Sequence, residues 1–314
     1  MFTKYMQSGK LIKKKKFLSG FNLFLMILPF LILTFIFSYL PLYGWTYAFY
    51  DFRPPLKLSQ SAFVGLFWFK SLILNQTRIS QMLQVLSNTF ALSGLGILTS
   101  WMPMAFAILL SEVSTARYKR FVQTLTTLPN FISWVLVYSF AFAIFSSNGV
   151  FNQILLATGL STKLVMVLSS DQHTWLGMTL WTIWKGLGWG SILYLAAIAG
   201  IDQELFEAAK VDGAGHFRLI WNITIPCLLP TFFVLLLLSV ANFLNNGLDQ
   251  YYVFQNAFNV NHIQVLDLYV YNLGMKSGSY SLATTVGMLK SIISVTLLFA
   301  CNGLSKLVRG ETII

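Results

Sequence analysis

The sequence predicts an all-α polytopic membrane protein with six transmembrane helices, and three observations carry that prediction. The chain is 56% hydrophobic and 10% charged over 314 residues, with mean hydropathy +0.68; a soluble domain carries roughly 25% charged residues. Its apolar residues fall in runs that can cross a hydrocarbon core, which takes about 20 residues of helix. Its basic residues gather in the intervals between those runs and form no single face, so the net charge of +11 marks loops kept in the cytoplasm and no nucleic-acid partner. Cys227 and Cys301 lie at or inside apolar segments, which excludes a disulfide framework.

Lys13–Lys16 stand directly before the first apolar run and hold the N-terminus in the cytoplasm. That run, Phe17 to about Leu42, is longer than the core of a signal peptide and no small-residue cleavage pattern follows, so it reads as a retained first span. Tyr39, Tyr43, Trp45 and Tyr47 form an aromatic belt at its far end. Residues from about 44 to 80 are mixed and read as an extracytoplasmic excursion with an amphipathic helix over Phe63–Leu74. A second span is expected over about Val85–Leu110, with Ser93, Gly94, Gly96 and Ser100 for close packing. Arg117, Lys119 and Arg120 mark a cytoplasmic turn.

The third span, about Phe121–Ser146, is interrupted by Pro129 and Asn130, with Trp134 and Tyr138 on one face beyond the break. Residues 147–172 return outside. The fourth span, about His173–Gly200, contains Gly186, Gly188 and Gly190, which let another backbone approach. A polar interval follows in the cytoplasm. The fifth span is expected over about Pro226–Asn246, ending in Asn242, Asn245 and Asn246; residues from about 247 to 280 lie outside, with an interfacial helix over Leu266–Met275. The sixth, about Leu282–Leu304, carries Lys290 near its middle, and Lys306 and Arg309 place the C-terminus in the cytoplasm.

The polar interval Asp202–Pro230 is the most informative stretch. Asp202 is a candidate N-cap, with Glu204 and Glu207 near the positive end of a helix. Gly213 can take the positive φ that ends that helix. A second short helix with an apolar side at Phe217, Leu219, Ile220 and Ile223 is expected before Pro226 opens the fifth span. The order Glu207-Ala208-Ala209, Asp212-Gly213-Ala214, Ile223, Pro226, Pro230 resembles the EAA loop of binding-protein-dependent ABC importer permeases (MetI-like or MalF-type) over about 25 positions. The end, Tyr280–Glu311, is similar to the LplB-like sugar-importer branch.

That resemblance implies a type I ABC importer transmembrane-domain fold: residues 1–84 as tail, first helix and extracytoplasmic segment, 85–308 as permease core with its coupling loop at 202–226, and 309–314 as tail. It assigns ATPase coupling to Glu207, Ala208, Ala209, Asp212, Gly213 and Ala214, with Phe217 meeting the family's later aromatic. It implies a heterodimer with a second homologous permease in the bacterial cell membrane, two ATPase subunits, a solute-binding protein and surrounding membrane lipid. The implied activity is uptake of an oligosaccharide or complex glycan by alternating access. The chain binds no cofactor on this reading. ATP and Mg belong to the ATPase, since the one Gly-Lys pair here, Gly9-Lys10, lacks the rest of a P-loop.

Candidate pathway residues are Trp134, Tyr138, Lys185, Asn242, Asn245, Asn246 and Lys290. Charges inside a span face a bundle interior or a water path, so Lys185 and Lys290 either line the route or pair with a carbonyl or snorkel at an interface. The asparagines either contact a hydroxylated solute or form the wet end of the fifth span. Trp134 and Tyr138 either stack on sugar rings or pack. No HExxH, paired Cys/His or Gly-x-Ser-x-Gly pattern occurs, and the chain reads as a non-catalytic transport subunit. A glycerol-phosphate, amino-acid or peptide cargo is the alternative within the importer class, and a channel or secondary transporter the alternative outside it.

Overall fold

The computed structural model describes residues 21 and 23–309, and among these it is helical with one isolated bridge, Tyr50 to Phe63. The tail lysines and the start of the first span lie outside the described residues. Helices α1 (Leu23–Phe49), α2 (Phe67–Leu74), α3 (Gln76–Leu98), α4 (Met102–Ser111), α5 (Ala116–Thr127), α6 (Trp134–Phe145) and α7 (Val150–Ala157) come first. Then follow α8 (Thr174–Ala199), α9 (Gln203–Val211), α10 (His216–Ala241), α11 (Asp249–Phe254), α12 (Val260–Ile263), α13 (Leu266–Tyr271) and α14 (Tyr280–Arg309).

Five helical stretches among the described residues are long and apolar enough to cross a membrane: Leu23–Phe49, Gln76–Ser111, Trp134–Ala157, His216–Ala241 and Tyr280–Gly303. Helix α8 is the sixth. Its 26 residues reach about 39 Å at ~1.5 Å each, enough for a core about 30 Å thick, although its tryptophans, glycines and Lys185 dilute its hydropathy. Two of its glycines serve contact: a Cβ on Gly188 would sit 2.3 Å from the Thr126 carbonyl carbon, and one on Gly190 3.2 Å from the Pro103 ring, whereas one on Gly186 would meet nothing within 4 Å.

Four expected elements take a different form. The second span starts earlier, at Gln76, where Asn75 Oδ1 accepts the Arg78 N–H at 3.1 Å, and it breaks at Thr99–Trp101 ahead of Pro103. The third is two helices, because Pro129 lacks an N–H and opens a 3₁₀ turn, Leu128–Phe131, between amphipathic α5 and apolar α6. The short helix expected after Gly213 is continuous with the fifth span. A π turn over Ile220–Thr224, closed by the Ile225 N–H to the Ile220 carbonyl, carries α10 up to Pro226, where the missing donor falls. The helix expected at the interface, α13, is instead buried, with Leu266 and Leu268 at 3% and 0% exposure between α3 and α14.

Three apolar clusters hold the bundle. Leu92, Val137, Met178, Phe254 and Ile263 join α3, α6 and α8 to α11 and α12. Leu72, Val85, Leu266 and Val286 join α2, α3, α13 and α14, while Ala107, Ile108, Tyr194 and Leu228 join α4, α8 and α10. Two polar groups at the centre of the bundle are fully paired, as a medium without water favours. Asn88, fully buried, donates to the Asn261 and Gln264 carbonyls (2.8 and 3.1 Å) and accepts from Trp175 Nε1 (3.2 Å). Thr89 Oγ1 donates to the Val85 carbonyl and accepts the Leu266 N–H at 3.0 Å. The segment that follows the fifth span is thereby fixed to α3.

Candidate functional site

Two places concentrate the residues singled out from the sequence. The first is the projection formed by α9, the turn at Gly213 and the first turns of α10. Asp202 Oδ1 accepts the Glu204 N–H at 3.0 Å and starts α9, as its residue type requires. Gly213 has φ +76° and ends it; the Ala214 N–H reaches back to the Ala209 carbonyl at 2.9 Å, the hydrogen-bonding pattern of a left-handed C-terminal cap. No residue of α9 is buried. Glu207, Ala208, Asp212 and Phe217 are exposed, and Ala209 and Ala214 are half-buried.

Apolar side chains on this projection point outward. Val211 is 88% exposed, Phe217 75% and Trp221 63%, with the Phe217 and Trp221 rings stacked at 6.2 Å. Exposed aromatics clustered on a polar loop are the composition of an interface hot spot. The projection touches the bundle through His216, whose ring pairs with Glu112 at the end of α4. Leu219 supplies the buried anchor.

The second place is a cavity of about 540 Å³ among α3, α4, α6, α8 and the segment Asn242–Tyr251. Asn242, Asn245, Asn246 and Trp134 line it, together with Ser93, Thr179, Thr182 and Asp249. The wall is tightly held. Asn246 donates to Ser93 Oγ at 2.9 Å, and that hydroxyl donates to the Phe243 carbonyl. Gln250 donates to the Met178 carbonyl at 2.8 Å and accepts from Thr182 at 2.9 Å. The Gly247 N–H reaches Asp267 Oδ2 at 3.0 Å.

The other pathway candidates lie elsewhere. Tyr138 packs edge-on to Phe254, ring centroids 5.1 Å apart, and borders a separate, smaller recess with Ser146 and Met166. Lys185 turns to the break between α5 and α6: Nζ donates to the carbonyls of Pro129, Asn130 and Ile132 at 3.0, 2.9 and 2.7 Å and lies over the Trp134 ring. It supplies the donors that the broken helix lacks. Lys290 is ion-paired with Asp267. The sequence assigns Ser93 to close helix packing and does not mark Thr182, Asp249, Gln250 or Asp267 as pathway residues. Their signal was weak: polar residues scattered through apolar helices, in segments that only the fold brings together.

Comparison with known proteins adds a family. The profile described as "Binding-protein-dependent transport system inner membrane component" matches residues 105–303. The chain belongs to this family. Among its relatives it is 39% identical to the protein LplB of Bacillus subtilis over 90% of this chain and 88% of that one. It is 37% identical to the B. subtilis polygalacturonan/rhamnogalacturonan transport system permease YteP over 95% and 89%. Among solved structures it is similar to a chain of a bacterial alginate ABC transporter in complex with an alginate pentasaccharide-bound periplasmic protein, with TM-score 0.83, 30% identity and coverage of 95% and 98%. The matched span contains the projection and the cavity wall from α6, α8 and Asn242–Tyr251, while the α3 side of the cavity precedes it.

Proposed function

We propose that this chain is the membrane-spanning permease subunit of an ATP-driven importer and that it takes up an oligosaccharide by alternating access. The observation that carries the reading is the projection at Asp202–Trp221: a capped helix and a glycine turn presenting Val211, Phe217 and Trp221 to a partner. In this reading Glu207, Ala208, Ala209, Asp212, Gly213, Ala214 and Phe217 seat in the ATPase, which binds ATP and Mg and performs the hydrolysis. The motion passes along α10, which is continuous from the projection to the Asn242 end of the cavity. Asn242, Asn245, Asn246 and Trp134 then meet the cargo. Lys185 and Lys290 support the walls of the path from outside it.

The assembly in this proposal pairs the chain with a second homologous permease and two ATPase subunits, with a solute-binding protein on the outer face. Both termini face the cytoplasm of the bacterial cell. The retained positive charge of the loops supports that orientation, and the polysaccharide cargoes in the names of LplB-like relatives and the alginate transporter support the cargo class. The test is uptake into proteoliposomes that enclose ATP and carry the complete transporter, with the loaded binding protein outside. Labelled saccharide accumulates only with ATP inside if the reading holds. Accumulation independent of ATP would instead assign a channel or secondary transporter.

A further inference from the structure

The charge of the cargo can be inferred as well, resting on the importer reading above. Among the described residues two lysines lie well inside the spans, away from their ends, and either would suit an acidic saccharide. Both are already engaged. Lys185 spends its donors on the Pro129, Asn130 and Ile132 carbonyls, one for each of the three an ammonium carries. Lys290 is paired with Asp267, whose second oxygen holds the Gly247 N–H. Neither lysine lines the cavity.

The lining itself is made of hydroxyls, amides and apolar surface. Asn242 and Asn245 keep amide N–H and oxygen capacity beyond the bond between them, which matches sugar hydroxyls in either direction, while the Ser93 and Thr179 hydroxyls donate to the Phe243 and Trp175 carbonyls and can still accept. Trp134 adds one broad apolar face for a sugar ring. Among the lining residues the charged side chain is Asp249, which is exposed to the cavity and makes no hydrogen bond or ion pair among the described residues. A carboxylate on the cavity wall repels a second carboxylate brought within a Debye length, about 8–10 Å, of it. We propose that the half of the pathway built by this chain takes an uncharged oligosaccharide, and that Asp249 disfavours uronic-acid cargo. This sets the chain apart both from YteP, named for polygalacturonan and rhamnogalacturonan, and from its structural neighbour, which imports the acidic polysaccharide alginate, so that it shares their saccharide class and not their charge.

Cavity charge can be read without knowing the cargo. The complete transporter, carrying Cys227→Ser and Cys301→Ser, receives Asn245→Cys in the cavity wall or a cysteine on an exposed loop as reference. Each thiol is modified with methanethiosulfonates of matched size, one cationic and one anionic. The ratio of cationic to anionic rates at position 245 is expected to exceed the reference ratio by about threefold or more, and Asp249→Asn is expected to return it to the reference value. An equal or reversed ratio, or one that Asp249→Asn leaves unchanged, overturns the proposal.

ATP hydrolysis gives the second reading. Binding protein is loaded with a neutral oligosaccharide panel, with oligogalacturonate, or with the methyl ester of the same oligogalacturonate. Stimulation by neutral or esterified sugars and not by the acid supports the proposal. Equal stimulation by acid and ester refutes the charge preference and leaves the importer reading standing. Failure of every saccharide to stimulate, with the thiol ratios as expected, removes the importer reading and the cargo inference with it.

Discussion

The projection at Asp202–Trp221 and the cavity wall at Asn242–Asp267 are both polar interruptions between spans, yet they are held in opposite ways. In the projection most fixing contacts are local: the Asp202 cap, the Gly213 turn and the Ala214-to-Ala209 hydrogen bond, with His216 to Glu112 and buried Leu219 as its ties to the bundle. In the wall they are long-range: Asn246 to Ser93, Gln250 to Met178 and Thr182, Gly247 through Asp267 to Lys290. A locally folded element keeps its shape while its apolar side chains stay free for another chain. A wall fixed from several helices keeps its polar groups in place, as a binding site needs. Substitutions in the wall should therefore cost stability, and substitutions in the projection should cost coupling.

The largest expected effect is at Lys290. Lys290→Met leaves Asp267 charged and unpaired inside the bundle, which costs about 3–5 kcal/mol; the thermal midpoint of the detergent-solubilised transporter should fall steeply. Adding Asp267→Asn should recover most of the loss, and no recovery would show that the pair is not what holds the wall. Next comes Gly188→Val, whose Cβ would overlap the Thr126 backbone. Overpacking of this kind costs about 1–3 kcal/mol, read in the same melts, and an unchanged midpoint would contradict the close approach of α8 to α5.

Smaller effects separate the two regions further. Ser93→Ala removes the hydroxyl between Asn246 and the Phe243 carbonyl and should cost about 1 kcal/mol while weakening saccharide-stimulated hydrolysis. Phe217→Ala should leave the midpoint nearly unchanged, because the ring is 75% exposed and stacks on Trp221, which is itself exposed. The same variant should retain less ATPase subunit through purification. A drop in stability with normal ATPase retention would mean that the aromatic serves the fold.

Much of the projection was legible in advance because its signals are local in sequence. Asp202 caps and Gly213 turns for reasons that need no neighbours. The apolar runs and their charged flanks likewise marked the spans, with α8 recognised by its position and length despite its tryptophans and glycines. The cavity was only half legible. Asn242, Asn245 and Asn246 stand together and attract notice, but Ser93, Thr182 and Asp249 come from separate segments and meet only in three dimensions. The lysines show the same limit: Lys185 and Lys290 look alike as charges within apolar helices, and their partners, a set of freed carbonyls and a distant carboxylate, depend on the fold. The continuity of α10 was hidden because Pro226 reads as a helix start, while the preceding π turn lets the helix run through it.

The central claim is that the projection transmits ATP-driven motion to a saccharide path. Gly213→Val tests it most directly, since φ +76° is forced on a β-branched residue at a cost of about 1–2 kcal/mol in an element that contributes little to the fold. Uptake and hydrolysis are measured together in proteoliposomes with the variant present at wild-type levels in the membrane. The account predicts continued ATP hydrolysis with saccharide uptake lost; uptake at the wild-type rate per ATP would contradict it.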